Sequence, residues 1–148
     1  TLAKEKHFDV VHRGMARVMS EGTGRWYNTP ELQICGKTGT VQNPHGEDHA
    51  LFIGFAPMDN PQIAVAVAVE NAGFGATWAG PISTLMVEKY LNDEITRTDL
   101  EDRMLAGSLA DNYVFKDQIE EKNKEKKNLE KQKLKMVNKE KVKELFFF

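Results

Sequence analysis

The segment from Gln62 to Asn71 constrains the fold of this chain more than any other. Within it, bulky aliphatic residues alternate with alanines from Ile63 to Val69, which is the period-two spacing of a β-strand. One face of that strand would be bulky and the other small, and both would be apolar. A half-exposed strand carries polar residues at alternate positions. We therefore predict that this strand is covered on both sides, with a helix close to its alanine face.

Two further strands are predicted upstream of this one. The first runs from about Leu32 to Gln42, and the second from about His49 to Ala56. The turn-forming residues 43–48 separate them, and the short segment Pro57 to Pro61 leads into the third strand. Connections this short join antiparallel neighbours.

Amphipathic helices are predicted on either side of the three strands. Apolar residues recur at helical spacing from Phe8 to Ser20, and Gly22 and Gly24 then end the helix. A second helix begins near Pro81 and continues to about Leu91. The predicted fold class is α/β (α+β): helix, three antiparallel strands and helix, forming one side of a larger sandwich.

The charge distribution predicts three regions. Residues 1–92 carry seven Lys or Arg and nine Asp or Glu, residues 93–115 carry two and six, and residues 116–148 carry eleven and seven. The first region is the expected core, the second a short helical extension and the third a charged helical or disordered tail. Because the core has no excess of basic residues, nucleic-acid binding by it is not expected. The tail is either a solvated helix or, given its apolar end Leu145 to Phe148, a partner-binding or membrane-surface element.

Targeting signals and cysteines add little. The sequence has no apolar run long enough to span a bilayer and no signal peptide. Cys35 is the single cysteine, so no intrachain disulfide can form, and its apolar surroundings predict a buried thiol. The chain starts with Thr1 rather than Met, and we expect it to begin inside a larger protein.

The chemistry of the chain is concentrated in Lys37, Thr38, Gly39 and Thr40. A cation, a hydroxyl and a position without a side chain follow one another on a predicted strand, a combination suited to binding a carboxylate and stabilising an oxyanion. Lys-Thr-Gly is also one of three motifs of penicillin-recognising serine enzymes. The other two, S-x-x-K and S-x-N, are absent, since none of the three serines begins either pattern. The alternative interpretation is an ordinary edge strand with a solvated lysine.

Further short segments, in order and at matching spacing, carry a family resemblance. From residue 14 to residue 91 the chain resembles the C-terminal part of the transpeptidase domain of class B penicillin-binding proteins of the elongation type. The segments are Glu21 to Arg25, Gly36 to Gln42, Asp48-His49, Gly54 to Pro57, Asn60 to Val65 and Glu70-Asn71.

This resemblance implies a role for each motif residue. In the family, a serine attacks the D-Ala–D-Ala bond of a peptidoglycan stem peptide, and β-lactams acylate the same serine. Lys37 would supply a positive field for the substrate carboxylate and Thr38 a hydrogen bond to it. Gly39 would leave the strand surface bare, and the Thr40 N–H would form half of the oxyanion hole. Alternation along the strand implies that Lys37 reaches the cleft from the inner side of the sheet, with its charge paired inside the protein.

The resemblance also implies partners and a location. The partners would be stem peptides, β-lactams and the N-terminal remainder of the transpeptidase domain, at the periplasmic side of the inner membrane, and no cofactor is implied. Because the nucleophile is missing, we predict that the chain alone is inactive. Two alternatives stay open: a fragment of a β-lactamase or β-lactam sensor with the same fold, and a non-enzymatic interaction module.

A histidine-containing loop raises a metal alternative. His45 and His49 stand beside Glu47 and Asp48, residue types that bind zinc. We interpret them instead as polar loop residues, with Asp48 and His49 bracing the turn after the Lys-Thr-Gly strand. No metal site is predicted.

Overall fold

The computed structural model describes residues 4–110, 112–113 and 120–133. It confirms the predicted order of helix, three strands and helix, and a third helix follows them within residues 93–115, where a short helical extension was predicted. The elements are α1 (Glu5–Ser20), β1 (Cys35–Val41), β2 (His49–Ala56), β3 (Ile63–Val69), α2 (Ala79–Asn92) and α3 (Thr98–Ala106).

The three strands form an antiparallel sheet in the order β1-β2-β3. β1 begins at Cys35 rather than at the predicted Leu32, because Pro30–Leu32 forms a 3-10 turn. Gln33 follows that turn with a left-handed φ of 47°, which ordinary strand geometry does not allow. The strand can therefore start only after this residue.

The core lies on one face of the sheet, under α2. Phe52 of β2 and Val87 of α2 are both buried, and the bulky residues of β3 pack against the same cluster. Tyr27 lies edge-on to Phe52, with the ring centroids 6.4 Å apart. Burying a side chain of the size of phenylalanine stabilises the fold by about 2–3 kcal/mol.

The opposite face of the sheet is covered at one end, where His12 of α1 packs on Phe55 with ring centroids 4.7 Å apart, and is otherwise open. The prediction that β3 is covered on both sides is therefore wrong for this chain. The alanines are exposed, and the helix packs on the bulky face instead. Ile53 is 55% exposed, although it lies in the central strand, opposite Lys37 on one side and Ala66 on the other. We call this surface the Lys37 face; it consists of Lys37, Ile53, Ala64, Ala66 and Ala68.

A buried ion pair fastens the segment after α2 to the rest of the fold. Arg97 donates to Glu88 Oε2 at 2.8 Å, to the Tyr27 carbonyl at 2.7 Å and to the Thr84 carbonyl at 2.8 Å. Glu88 is 1% exposed and also accepts hydrogen bonds from the N–H and hydroxyl of Thr96. One guanidinium thus joins α2 to the loop that follows α1.

The chain divides into two compact units, Thr1–Asn112 and Tyr113–Phe148. In the second, residues 120–133 are helical. The apolar end of the tail, Leu145 to Phe148, lies outside the described residues. The proposed division at residues 92 and 115 stays a prediction.

Candidate functional site

The Lys-Thr-Gly-Thr residues lie in the middle of β1, which is an edge strand of the described sheet. Thr38 pairs with Phe52, and Thr40 pairs with Ala50, so both threonines are on the α2 side. Lys37 pairs with Ile53 and is on the opposite side. The alternation expected from the sequence is therefore present.

Lys37 is exposed, and its ammonium donates to the Thr38 carbonyl oxygen at 2.7 Å. The expectation of a charge paired inside the protein is not met in this chain. Among the described residues, the ion pairs are Arg17–Glu21 and Arg97–Glu88, and neither involves Lys37. The physical reason is that the Lys37 face has no covering layer, so water solvates the ammonium.

Thr38 has a hydroxyl partner that sequence analysis did not assign. Its Oγ1 lies 3.1 Å from the Oγ1 of Thr23, which follows α1. Thr38 itself is half-buried, whereas Thr40 is exposed. The sequence signal was the Gly-Thr-Gly run at residues 22–24, which entered the family resemblance without a role.

The loop between β3 and α2 closes tightly against Gly39. A Cβ at Gly75 would lie 2.5 Å from the Gly39 carbonyl oxygen and 2.3 Å from the Leu51 carbonyl oxygen. Only glycine allows this approach. The neighbouring Phe74 is 75% exposed.

The loop after β1 is braced as the sequence predicts. Asp48 Oδ1 accepts a hydrogen bond from the Asn43 N–H at 3.1 Å, and His49 Nδ1 accepts one from the Asn71 N–H at 3.0 Å. Asn43 also donates to the Asn71 side-chain oxygen at 2.6 Å. In the described part of the chain, no group of three or more His, Cys, Asp or Glu residues is placed to hold a metal ion.

The serines do not contribute to this site. Ser83 is buried and donates to the Ala79 carbonyl at 2.6 Å, and the Ser108 hydroxyl accepts from the Ala110 N–H. Ser20 is the last residue of α1. Among the described residues, none of the three makes a hydrogen bond to Lys37 or Thr38.

Buried Cys35 lies two residues before Lys37. Burial, followed by the negative charge of Asp59, raises the pKa of its thiol above the ordinary value. The thiol is therefore neutral at neutral pH, in keeping with the packing role expected from the sequence.

Comparison with known families decides the classification. The family model of the penicillin-binding protein transpeptidase domain matches residues 3–92. The chain belongs to this family. The resemblance drawn from residues 14–91 is thereby confirmed.

Relatives within the family are peptidoglycan D,D-transpeptidases. MrdA of Acinetobacter baumannii is 40% identical over 47% of this chain and 12% of its own length. MrdA of Haemophilus influenzae is 33% identical over 62% of this chain and 17% of its own length. The chain therefore spans less than a fifth of these relatives.

A solved structure shares the fold. Pseudomonas aeruginosa PBP2, in complex with WCK 5153, matches with a TM-score of 0.57 and 44% identity. The match covers 64% of this chain and 22% of that one. Within the described residues, no helix has the length and apolar character needed to cross a membrane.

Proposed function

We propose that this chain forms the substrate-binding wall of a peptidoglycan D,D-transpeptidase whose nucleophile lies in the N-terminal remainder of the domain. The observation that carries the proposal is the edge strand β1, which presents Lys37, Thr38, Gly39 and Thr40 in sequence. One edge of this strand has no strand partner among the described residues. An extended stem peptide can therefore lie along it and form main-chain hydrogen bonds.

Each residue has a distinct role in this reaction. Thr38 donates a hydrogen bond to the terminal carboxylate of the stem peptide, and Lys37 provides the positive field that attracts it. A serine in the N-terminal remainder of the domain attacks the carbonyl carbon of the penultimate D-alanine, and negative charge develops on the carbonyl oxygen. The Thr40 N–H is one of the two donors that stabilise this oxyanion, an interaction worth about 3 kcal/mol in comparable enzymes. The terminal D-alanine then leaves, and an amine of a neighbouring strand takes the acyl group.

The open Lys37 face supports the assembly that this mechanism requires. Exposed apolar side chains around a lysine indicate a surface that another part of the protein covers. Covering it removes water from Lys37, and a lower local dielectric strengthens the field of the ammonium at the carboxylate. In this proposal, the N-terminal remainder of the domain covers the Lys37 face. The assembled enzyme acts at the periplasmic side of the inner membrane.

The β-lactamase alternative differs in one step. A β-lactamase hydrolyses its acyl-enzyme quickly, whereas a transpeptidase holds a β-lactam as a long-lived ester. The names of the relatives favour the transpeptidase. We therefore expect an enzyme that contains this chain, once acylated by a labelled β-lactam, to lose the label slowly.

Labelling with a fluorescent penicillin tests the proposal. The chain alone should give no covalent band on a denaturing gel. A hybrid in which residues 4–106 replace the matching segment of Pseudomonas aeruginosa PBP2 should be labelled. A labelled band at the mass of the isolated chain, or a folded hybrid that takes no label, would contradict the proposal.

A further inference from the structure

Thr23 is in direct contact with the motif but has no role in the mechanism described so far. Its hydroxyl oxygen lies 3.1 Å from that of Thr38, fifteen positions later in the chain. Among the described residues, this is the only side-chain hydrogen bond of either hydroxyl. The two threonines thus form an isolated pair at the wall of the proposed site.

The backbone holds Thr23 in this position. The Gly22 N–H donates to the Arg17 carbonyl at 3.0 Å, and the Gly24 N–H donates to the Val18 carbonyl at 2.9 Å. A Cβ at Gly22 would lie 2.9 Å from the Val18 carbonyl oxygen, and one at Gly24 would lie 2.5 Å from the sulfur of buried Met19. Both neighbours of Thr23 are therefore pressed against the end of α1, and this fixes the place from which its hydroxyl reaches β1.

The chemistry of the two hydroxyls determines which of them donates the hydrogen bond when a carboxylate is bound. A threonine hydroxyl has one proton to donate and two lone pairs that accept, whereas an ionised carboxylate only accepts. When Thr38 donates its proton to a carboxylate, its contact with Thr23 can persist only if Thr23 is the donor. Each bond in such a chain polarises and strengthens the next.

We propose that Thr23 is a positioning residue for Thr38. Its hydroxyl donates to Thr38 Oγ1 and so holds the Thr38 proton on the side where the substrate carboxylate binds. The inference rests on the proposed function, since it needs a carboxylate ligand at Thr38. It extends the binding wall from β1 to the loop after α1.

The test uses the PBP2 hybrid and five variants of it. Thr23→Val removes the hydroxyl but keeps the branched shape, and Thr23→Ser restores the hydroxyl. Thr38→Val, alone and combined with Thr23→Val, measures the coupling between the two positions. Thr77→Val is the matched control, because Thr77 is exposed and its side chain makes no hydrogen bond among the described residues. The second-order rate constant of acylation is measured for a penicillin and for its methyl ester.

A positioning role predicts a ligand-dependent loss. Thr23→Val should slow acylation by the free carboxylate about five- to tenfold, the effect of one hydrogen bond, and change acylation by the ester less than about twofold. Thr23→Ser should recover most of the rate. The double variant should be no slower than Thr38→Val alone, because Thr23 acts only through Thr38.

Equal losses for penicillin and ester, or additive effects in the double variant, would overturn the inference and leave the proposed function standing. Absence of acylation in the folded, unsubstituted hybrid would instead overturn the proposed function, and the role of Thr23 with it. Thermal melting of each variant shows that it is folded. Should the hybrid not fold, the same variants are measured in this chain expressed together with the PBP2 segment that precedes the match.

Discussion

Glu88 shows how the fold keeps a carboxylate charged in its interior. Burial alone would raise the pKa of this group. Hydrogen bonds from Thr96 and Arg97, together with the positive charge of Arg97, outweigh burial and hold the pKa below its ordinary value. The pair is thus stable only as a complete network.

Removing the arginine should therefore be costly. We expect Arg97→Met to lower the free energy of unfolding by about 3 kcal/mol, because Glu88 would be left charged and buried without its partner. The control is Arg17→Met, which breaks the exposed Arg17–Glu21 pair and should cost less than about 1 kcal/mol. Urea denaturation of both variants measures the difference, and similar losses would contradict the account.

The same carboxylate predicts a pH dependence. Because its folded pKa is lowered, the unfolded chain binds the proton more readily, and the contribution of Glu88 to stability is complete only above its unfolded pKa of 4.5. It is lost as the pH falls through the lower folded value. Urea midpoints from pH 6 to pH 3 should fall more steeply in the parent chain than in Glu88→Gln. An equally steep fall of the urea midpoint in the two chains would show that the pKa of Glu88 is not lowered in the folded state.

The β3–α2 loop, an element that borders the motif, depends on one glycine. Gly75→Ala should destabilise the chain by about 1–3 kcal/mol, since the added Cβ meets two backbone oxygens that have no room to move. Gly14→Ala is the matched control. It lies within α1 with open space around it and should stabilise the chain by about 0.5–1 kcal/mol. Thermal melting of both variants measures the changes in stability. A Gly75→Ala variant as stable as the parent chain would show that the loop does not close on Gly39.

Local sequence patterns predicted most elements well, because periodicity and turn residues act over short distances. β2 has the predicted bounds, and the alternation of Lys37 with Thr38 is as expected. The start of β1 was missed, since no pattern marks Gln33 as left-handed. The contact of Thr23 with Thr38 was missed for a different reason: it joins residues fifteen positions apart, and only the folded chain brings them together.

For the whole molecule, the open Lys37 face is the main feature. The alternation in β3 predicted cover on both sides, yet only the bulky face is covered in this chain. The side-chain pattern of a strand reflects everything that covers the strand in the complete protein. This chain spans only a small part of its relatives' length. The sequence therefore could not show which face the chain covers by itself.

A charge placed on that face should distinguish the isolated chain from the assembled domain. Ile53→Glu should change the stability of the chain by about 0.5 kcal/mol or less, because the side chain is already 55% exposed. It should weaken association with the preceding PBP2 segment at least about tenfold, since removing a carboxylate from water costs more than its attraction to the neighbouring Lys37 returns. Met86→Glu, on α2 and 51% exposed, is the control and should leave association unchanged. If the two variants bind the PBP2 segment with equal affinity, that segment does not bind to the Lys37 face.

Lys37 tests the central claim most directly. Acylation of the PBP2 hybrid by a penicillin is compared with that of its Lys37→Met and Lys6→Met variants, Lys6 being an exposed lysine of α1. If β1 is the carboxylate-binding wall, Lys37→Met should slow acylation about 10- to 100-fold, the effect of losing a charged partner. Lys6→Met should acylate at the parent rate. An unchanged rate in Lys37→Met would contradict the account.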